Sequence, residues 1–147
     1  MRIWVDADSC PKQVRDIIIR AANRRSVPAR FVSRQDAGVR SAGPVVAEIS
    51  DADADEVIVA GAVPGDLAVT RDIPLAARLV EQDVIVLNTR GEVYDRGTVR
   101  ERLSERNFMY EFRSASAYSE PGKQYGQREV QAFANAFDRQ LTKRLKE

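Results

Sequence analysis

The sequence predicts an α/β domain built in three layers, α-β-α, around a mainly parallel sheet. Three observations predict it. Residues 3–32 read as strand, helix and strand within about 30 residues, the length of a β-α-β unit. Residues 67–87 repeat that order. The strands in both units are near-continuous apolar runs, as expected of strands covered on both faces. The 147 residues, 44% hydrophobic and 31% charged, suit a single domain over 1–147.

The elements follow in order. Ile3-Trp4-Val5 is a short strand signal that stops at Asp6-Ala7-Asp8, and Pro11 stands where a first helical residue is favoured. Val14, Ile17, Ile18, Ala21 and Ala22 recur at three and four, which places one buried helical face between about Pro11 and Arg24. Val27-Pro28 ends that helix, and Ala29-Arg30-Phe31-Val32 is the parallel neighbour of the first strand. Residues 34–44 carry Gly38, Gly43 and Pro44 and read as an exposed loop before a third strand, Val45–Ile49. The acids of 51–56 precede Val57, Ile58, Val59, Ala60 and Ala62. Acids there complement a helix N-terminus and favour a helix, with a strand as the alternative that the β-branched residues also suit. Leu67–Thr70 is a buried strand. Pro74 opens a helix carrying Leu75, Ala76, Leu79 and Val80, and Val84–Leu87 is another strand. Thr98 with Glu101 predicts a capping box and a helix from Val99 to about Met109. Residues 114–127, rich in Ser, Gly, Gln and Tyr, predict a mobile loop, and 128–146 an amphipathic final helix.

Composition narrows the chemistry. With no histidine and one cysteine, Cys10, the chain lacks an internal disulfide, the usual zinc sites and every His-based triad. Any catalysis falls to carboxylates and a hard metal ion. No apolar run is long enough for a membrane span, and the acid at position 6 interrupts any signal-peptide core, so a cytoplasmic protein is expected. The net charge of +1 hides an asymmetry: −3 over residues 1–95 (12 basic, 15 acidic) and +4 over 96–147 (11 basic, 7 acidic). Arginine, the planar fork suited to phosphate, supplies 19 of the 23 cations, as an Arg-rich genome would also dictate.

Ligands of a parallel α/β sheet bind beyond the carboxyl ends of its strands. Asp6 and Asp8, Ser33 and Arg34, Thr70 and Asp72, and Asn88 and Arg90 follow the predicted strands. Each of these residues also has a structural reading: Asp8 and Asp72 as helix caps, the amide Asn88 as a turn residue, Asp55 as a charge favouring a helix dipole. Taken together, carboxylates converging on one edge repel unless a cation sits between them, and all-oxygen ligands suit Mg²⁺ or Mn²⁺. Such a site activates water and stabilises the charge of phosphodiester cleavage. Asp6-Ala7-Asp8-Ser9 also comes near the opening of haloacid-dehalogenase phosphatases, with Asp6 as nucleophile and Asp8 as acid/base. The remainder matches poorly, because that family places a lysine ahead of a late acidic pair and the chain has only Lys12, Lys123, Lys143 and Lys146.

Asp6-Ala7-Asp8-Ser9-Cys10-Pro11, Ala54-Asp55, the run Gly65–Ala76 and Asn88-Thr89-Arg90-Gly91-Glu92 together resemble the bacterial YaiI/YqxD family, related to PIN-like nucleases. The likeness continues through Arg100–Leu103 and Arg106–Met109 to Gln127-Arg128 and Phe133-Ala134-Asn135, and Gly65–Ala76 is its most specific part. Two positions depart from the family pattern: Ser9 stands where Ala is usual and Thr89 where Pro is usual.

The resemblance implies a PIN-like parallel sheet with acids around one or two metal ions, cutting RNA or DNA by metal-activated water. It implies Asp6, Asp55 and Asp72 as the catalytic, metal-holding acids, with Asp8 and Asp66 as further metal ligands. Thr70, Arg71, Asn88, Arg90 and Arg34 are the expected substrate contacts, with Arg100, Arg102 and Arg106 along the late helix. Those helix charges have an alternative reading as a solvated face with Glu101 and Glu105. No aromatic cluster suited to stacking bases is evident, which argues against sequence-specific reading of a single strand. The partner implied is RNA or another single-stranded nucleic acid. The alternative is a binding module without turnover.

Overall fold

The computed structural model describes residues 1–50, 53–116 and 125–146. Six strands, β1 (Ile3–Asp6), β2 (Ala29–Ser33), β3 (Val45–Ile49), β4 (Leu67–Val69), β5 (Ile85–Leu87) and β6 (Val93–Tyr94), form one sheet in the order β3-β2-β1-β4-β5-β6. β3, β2, β1, β4 and β5 are parallel, with Val5 opposite both Phe31 and Val69. β6 pairs antiparallel with β5, a closing hairpin strand absent from the sequence reading because two residues carry no periodicity. The chain winds outward from β1 to β3, then crosses back to β4. The order therefore reverses between β1 and β4, the position at which ligands bind in sheets of this type.

Alternation along the strands serves two cores. Ile3, Val5, Phe31, Leu67 and Val69 meet α1 (Lys12–Arg25) and α5 (Gln127–Leu145), where Val14, Ile18, Phe133, Phe137 and Leu141 are buried. Trp4, Val32, Ala68 and Val86 meet α2 (Ala54–Gly61), α3 (Ile73–Glu81) and α4 (Arg96–Ser116) through Ile58, Leu75, Leu79 and Val99. Helices thus cover both faces, as the three-layer prediction requires. The segment at 54–61 is helix, which settles the strand alternative: Asp53 accepts a hydrogen bond from the Asp55 N–H at 3.0 Å and caps it.

Two boundaries are corrected. α4 begins at Arg96, because Asp95 Oδ1 accepts the Thr98 N–H at 2.7 Å. Thr98 is therefore inside the helix and the Thr98–Glu101 capping box does not form. α4 also runs on to Ser116, so residues 114–116 of the expected loop are helical, and Gln127 opens α5. The rest of that expected loop, 117–124, lies outside the described residues. The loop at 34–44 folds back on the edge of the sheet. Ala42 bridges Val45, and Ser41 Oγ accepts the Ala47 N–H at 2.9 Å, which occupies donors that an open edge strand would expose.

The 88–91 turn is fixed against α5 by Gly91. Its φ is +88°, and a Cβ there would lie 2.6 Å from the Ala132 carbonyl oxygen. Gly91→Ala is expected to cost about 2 kcal/mol or more from backbone strain and displacement of the turn. A lowered urea midpoint with unchanged slope is the expected readout.

Candidate functional site

The carboxyl ends of β1 and β4 and the first turns of α2 and α3 border one cleft of about 600 Å³ at the switch point. Asp6, Asp8, Asp53, Asp55 and Asp72 line it, together with Ser9, Arg34, Arg71 and Arg106. β1 ends at Asp6, and a single 3-10 turn, Ala7–Ser9, carries the chain on toward α1. That turn brings Ser9 back over Asp6. Ser9 Oγ donates to Asp6 Oδ2 at 3.0 Å, and the Thr70 hydroxyl donates to the same oxygen at 2.9 Å. Thr70 Oγ1 in turn accepts the Asp72 N–H at 3.0 Å, and Ser9 Oγ accepts the Arg71 N–H at 3.2 Å. Two hydroxyls thus tie the ends of β1 and β4 together around one buried carboxylate. Asp6 Oδ1 has no hydrogen-bond partner among the described residues, which leaves one oxygen of this acid available.

Asp72 caps α3, its Oδ1 accepting the Leu75 N–H at 3.0 Å. The capping reading is correct, and it leaves Asp72 at the cleft wall. Asp8 does not cap α1; its Oδ2 accepts the Arg34 N–H at 2.7 Å and fixes the exit of β2 beside the cleft. Asp55 enters from the first turn of α2.

Burial pushes the Asp6 carboxyl above the usual carboxylate range; its hydroxyl partners oppose the shift, and the charges of Asp72 and Asp8 add to it. Asp55 is pushed up to about 7, first by burial, then by the charges of Asp72, Asp53 and Asp6 and by a hydrogen bond with Asp72. A carboxyl pKa raised in the folded state contributes stability that is fully present below about pH 4 and lost as pH rises through about 7. The metal-free protein is therefore expected to melt lower at pH 8 than at pH 5. Asp55→Asn is expected to flatten that dependence, raising stability at pH 8 by about 1 kcal/mol after discounting for its partial exposure. Thermal melts in EDTA from pH 5 to 8 check this, and parallel curves for the two proteins would contradict it.

An all-oxygen donor set, crowded enough to raise two of its own pKa values and keeping an available Asp6 oxygen, matches a hard divalent cation in chemistry. Among the described residues, no group of three or more acidic or cysteine side chains is arranged to hold an ion as it stands, so sharing one requires side-chain rotation. The arginines of the cleft are equally notable. Arg34, Arg71 and Arg106 line it beside five acids, yet none forms an ion pair among the described residues.

Not every expected residue reaches the cleft. Asp66 precedes β4 and so lies at the opposite end of the sheet from Asp6 and Asp72. Its carboxylate accepts from Arg2 N at 3.0 Å, Trp4 Nε1 at 3.1 Å and Val63 N at 3.0 Å, which makes it a structural acid. Its place among the expected metal ligands is corrected on that ground: a position before a strand and one after it are separated by the strand's length. Asn88 organises its own turn, Oδ1 accepting the N–H groups of Arg90 and Glu92 at 2.9 Å each. Arg90 lies over the Tyr125 ring at 5.5 Å and 3.8 Å from Glu129. Both border a second cleft beside the first. Arg102 is held by Glu92 and Glu105, whereas Arg106 does reach the acidic cleft. Sequence reasoning missed Ser9 and Asp53 as site residues. For Ser9 the available signal was a hydroxyl three residues past a strand-terminal acid. Cys10 is buried, its thiol pushed up to about 12 mainly by burial, and it is inert beside this chemistry.

Fold and cleft define a class: a doubly wound α/β protein with acids and unpaired arginines gathered at its switch point. The chain belongs to the YaiI/YqxD family. The model of the Uncharacterized BCR, YaiI/YqxD family matches residues 4–143. A UPF0178 protein of Syntrophobacter fumaroxidans is 43% identical over 99% of this chain and 97% of its own length. UPF0178 proteins of Treponema denticola and Myxococcus xanthus are 42% and 46% identical, covering 100% and 99% of this chain and 96% and 97% of theirs. No solved structure matches the chain significantly. No helix among the described residues is long and apolar enough to cross a membrane.

Proposed function

We propose that this protein is a Mg²⁺- or Mn²⁺-dependent nuclease that hydrolyses phosphodiester bonds of single-stranded nucleic acid in the switch-point cleft. The observation that carries the reading is the separation of charge within one cleft: five acids and three arginines border it, and the two signs leave each other unpaired. Such an arrangement suits a ligand that brings both signs, a phosphate accompanied by a cation. Asp6, Asp55 and Asp72, with Asp8 beside them, hold the ion. When bound, the ion supplies an activated water and neutralises charge on the phosphate oxygens.

The remaining work belongs to the chain. Ser9 and Thr70 fix the Asp6 carboxylate on Oδ2 so that Oδ1 stays available. Without an ion, burial and the charges of Asp72, Asp53 and Asp6 push the Asp55 carboxyl up to about 7, a cost that a cation between these acids relieves. Arg34, Arg71 and Arg106 receive the phosphate backbone, which positions a strand without reading its sequence. The cytoplasmic location expected from the sequence agrees with such a substrate.

Incubation of single-stranded RNA and DNA with the purified chain in Mg²⁺, in Mn²⁺ and in EDTA tests the reading. Cleavage is expected in the first two and none in the third. Salt-sensitive binding without turnover in either ion would instead support the binding module, and a phosphate mimic trapped on Asp6 the phosphatase.

A further inference from the structure

A second cleft of about 300 Å³ adjoins the acidic one. The two share Arg71 and Ile73, which therefore form a common wall. The far side of the second cleft is the 88–91 turn, and it is preorganised: Asn88 holds the Arg90 and Glu92 N–H groups, and the Tyr125 hydroxyl donates to the Thr89 carbonyl oxygen at 2.6 Å. Arg102, also in this cleft, is clamped between Glu92 and Glu105, so its charge is spent joining α4 to the turn. Arg71 differs. Its backbone is pinned through N–H to Ser9 Oγ, while its exposed guanidinium makes no ion pair or hydrogen bond among the described residues. A fixed Cα with an uncommitted guanidinium at the junction of two clefts is placed to hold one phosphate while its neighbours occupy either side.

We propose that the two clefts form one continuous groove whose ligand is a 5′-phosphorylated chain of at least two linked nucleotides, one phosphate lying at the acidic cleft, the next resting on Arg71 and the nucleoside beyond it filling the cleft beside the 88–91 turn. The proposal rests on the phosphodiester reading of the acidic cleft and adds to it a length requirement. A mononucleotide reaches only the first cleft. The contacts at the junction are to phosphate, so the requirement is for length and not for base sequence.

The test is the affinity of the full chain for 5′-phosphorylated uridylates of one to four nucleotides. It is measured at fixed salt in Ca²⁺ by competition against a labelled tetranucleotide, with oligomer integrity checked at the end. Affinity is expected to rise about tenfold from one nucleotide to two. In Arg71→Gln the ratio of dinucleotide to mononucleotide affinity is expected to fall to near one. Ile73→Glu places a like charge on the shared wall, at a helix start that tolerates an acid, and is expected to do the same. Equal affinity for one and four nucleotides overturns the proposal, as does an Arg71→Gln variant that weakens every length alike, or an absence of binding at all lengths. Hydrolysis is read separately. Length steps without metal-dependent cleavage refute the hydrolytic reading and leave the groove standing, whereas cleavage lost in Asp72→Asn with no length step refutes the groove alone.

Discussion

Replacing Asp6 or Asp72 by Asn is expected to lower metal-dependent cleavage of single-stranded RNA at least about a thousandfold while moving the melting midpoint by only a few degrees. The separation of the two effects follows from the contacts each residue makes. At position 6 the amide oxygen of Asn still accepts from Ser9 and Thr70, which meet on one oxygen of the native carboxylate. At position 72 Asn is as good a helix cap as Asp, so the bond to Leu75 N–H survives. Both substitutions remove the negative charge a hard cation requires. Rates with Mg²⁺ and Mn²⁺, compared with thermal melts of the same preparations, check the expectation. Cleavage that persists at the native rate in both variants would remove these acids from the chemistry.

Asp66→Ala is expected to do the reverse, costing about 3 to 5 kcal/mol of stability and leaving the cleft's residues in place. Asp66 is 3% exposed, and its two oxygens serve three donors. Removing it strands the Trp4 indole N–H beneath α2, where Gly61 packs so closely on the indole that even a Cβ would collide. It also removes the acceptor of the part-buried Arg2 and Val63 N–H bonds, a smaller loss. Each buried donor left without an acceptor costs more than the bond contributed. Urea denaturation measures the loss. Residual metal-dependent cleavage by the folded fraction distinguishes Asp66 from the acids at the other end of the sheet, because a metal ligand would lose rate before it lost stability. A variant with native stability would show that this acid is dispensable to the fold.

The contrast between Asp66 and Asp72 marks how far sequence reasoning reaches. Both are aspartates close to β4 within the same family-like run, and both were expected at the metal. Parallel strands send everything after them to one rim and everything before them to the other, so the side of the strand decides the matter. That was legible for Asp72 and overlooked for Asp66. The helix at 54–61, by contrast, is favoured in the sequence only by its leading acids, because Val57, Ile58 and Val59 suit either element. The side-chain cap from Asp53 and the packing of Ile58 with Trp4 resolve it. β6 was invisible, since its two residues owe their conformation to the hairpin with β5.

The amino-acid sequence by itself determined the α/β class, five of the six strands and every helix in outline, because apolar periodicity and turn residues are local properties. It also excluded every imidazole-based mechanism, because histidine is absent. Only the tertiary structure decided which carboxylates and arginines meet. Asp6, Asp55 and Asp72 come from segments separated by 49 and 17 positions, and their shared cleft exists because the strand order reverses between β1 and β4. The structure likewise drew Ser9 and Arg106 into that cleft and kept Asp66 out, since contacts across a sheet are set by strand order and direction, which no local pattern encodes.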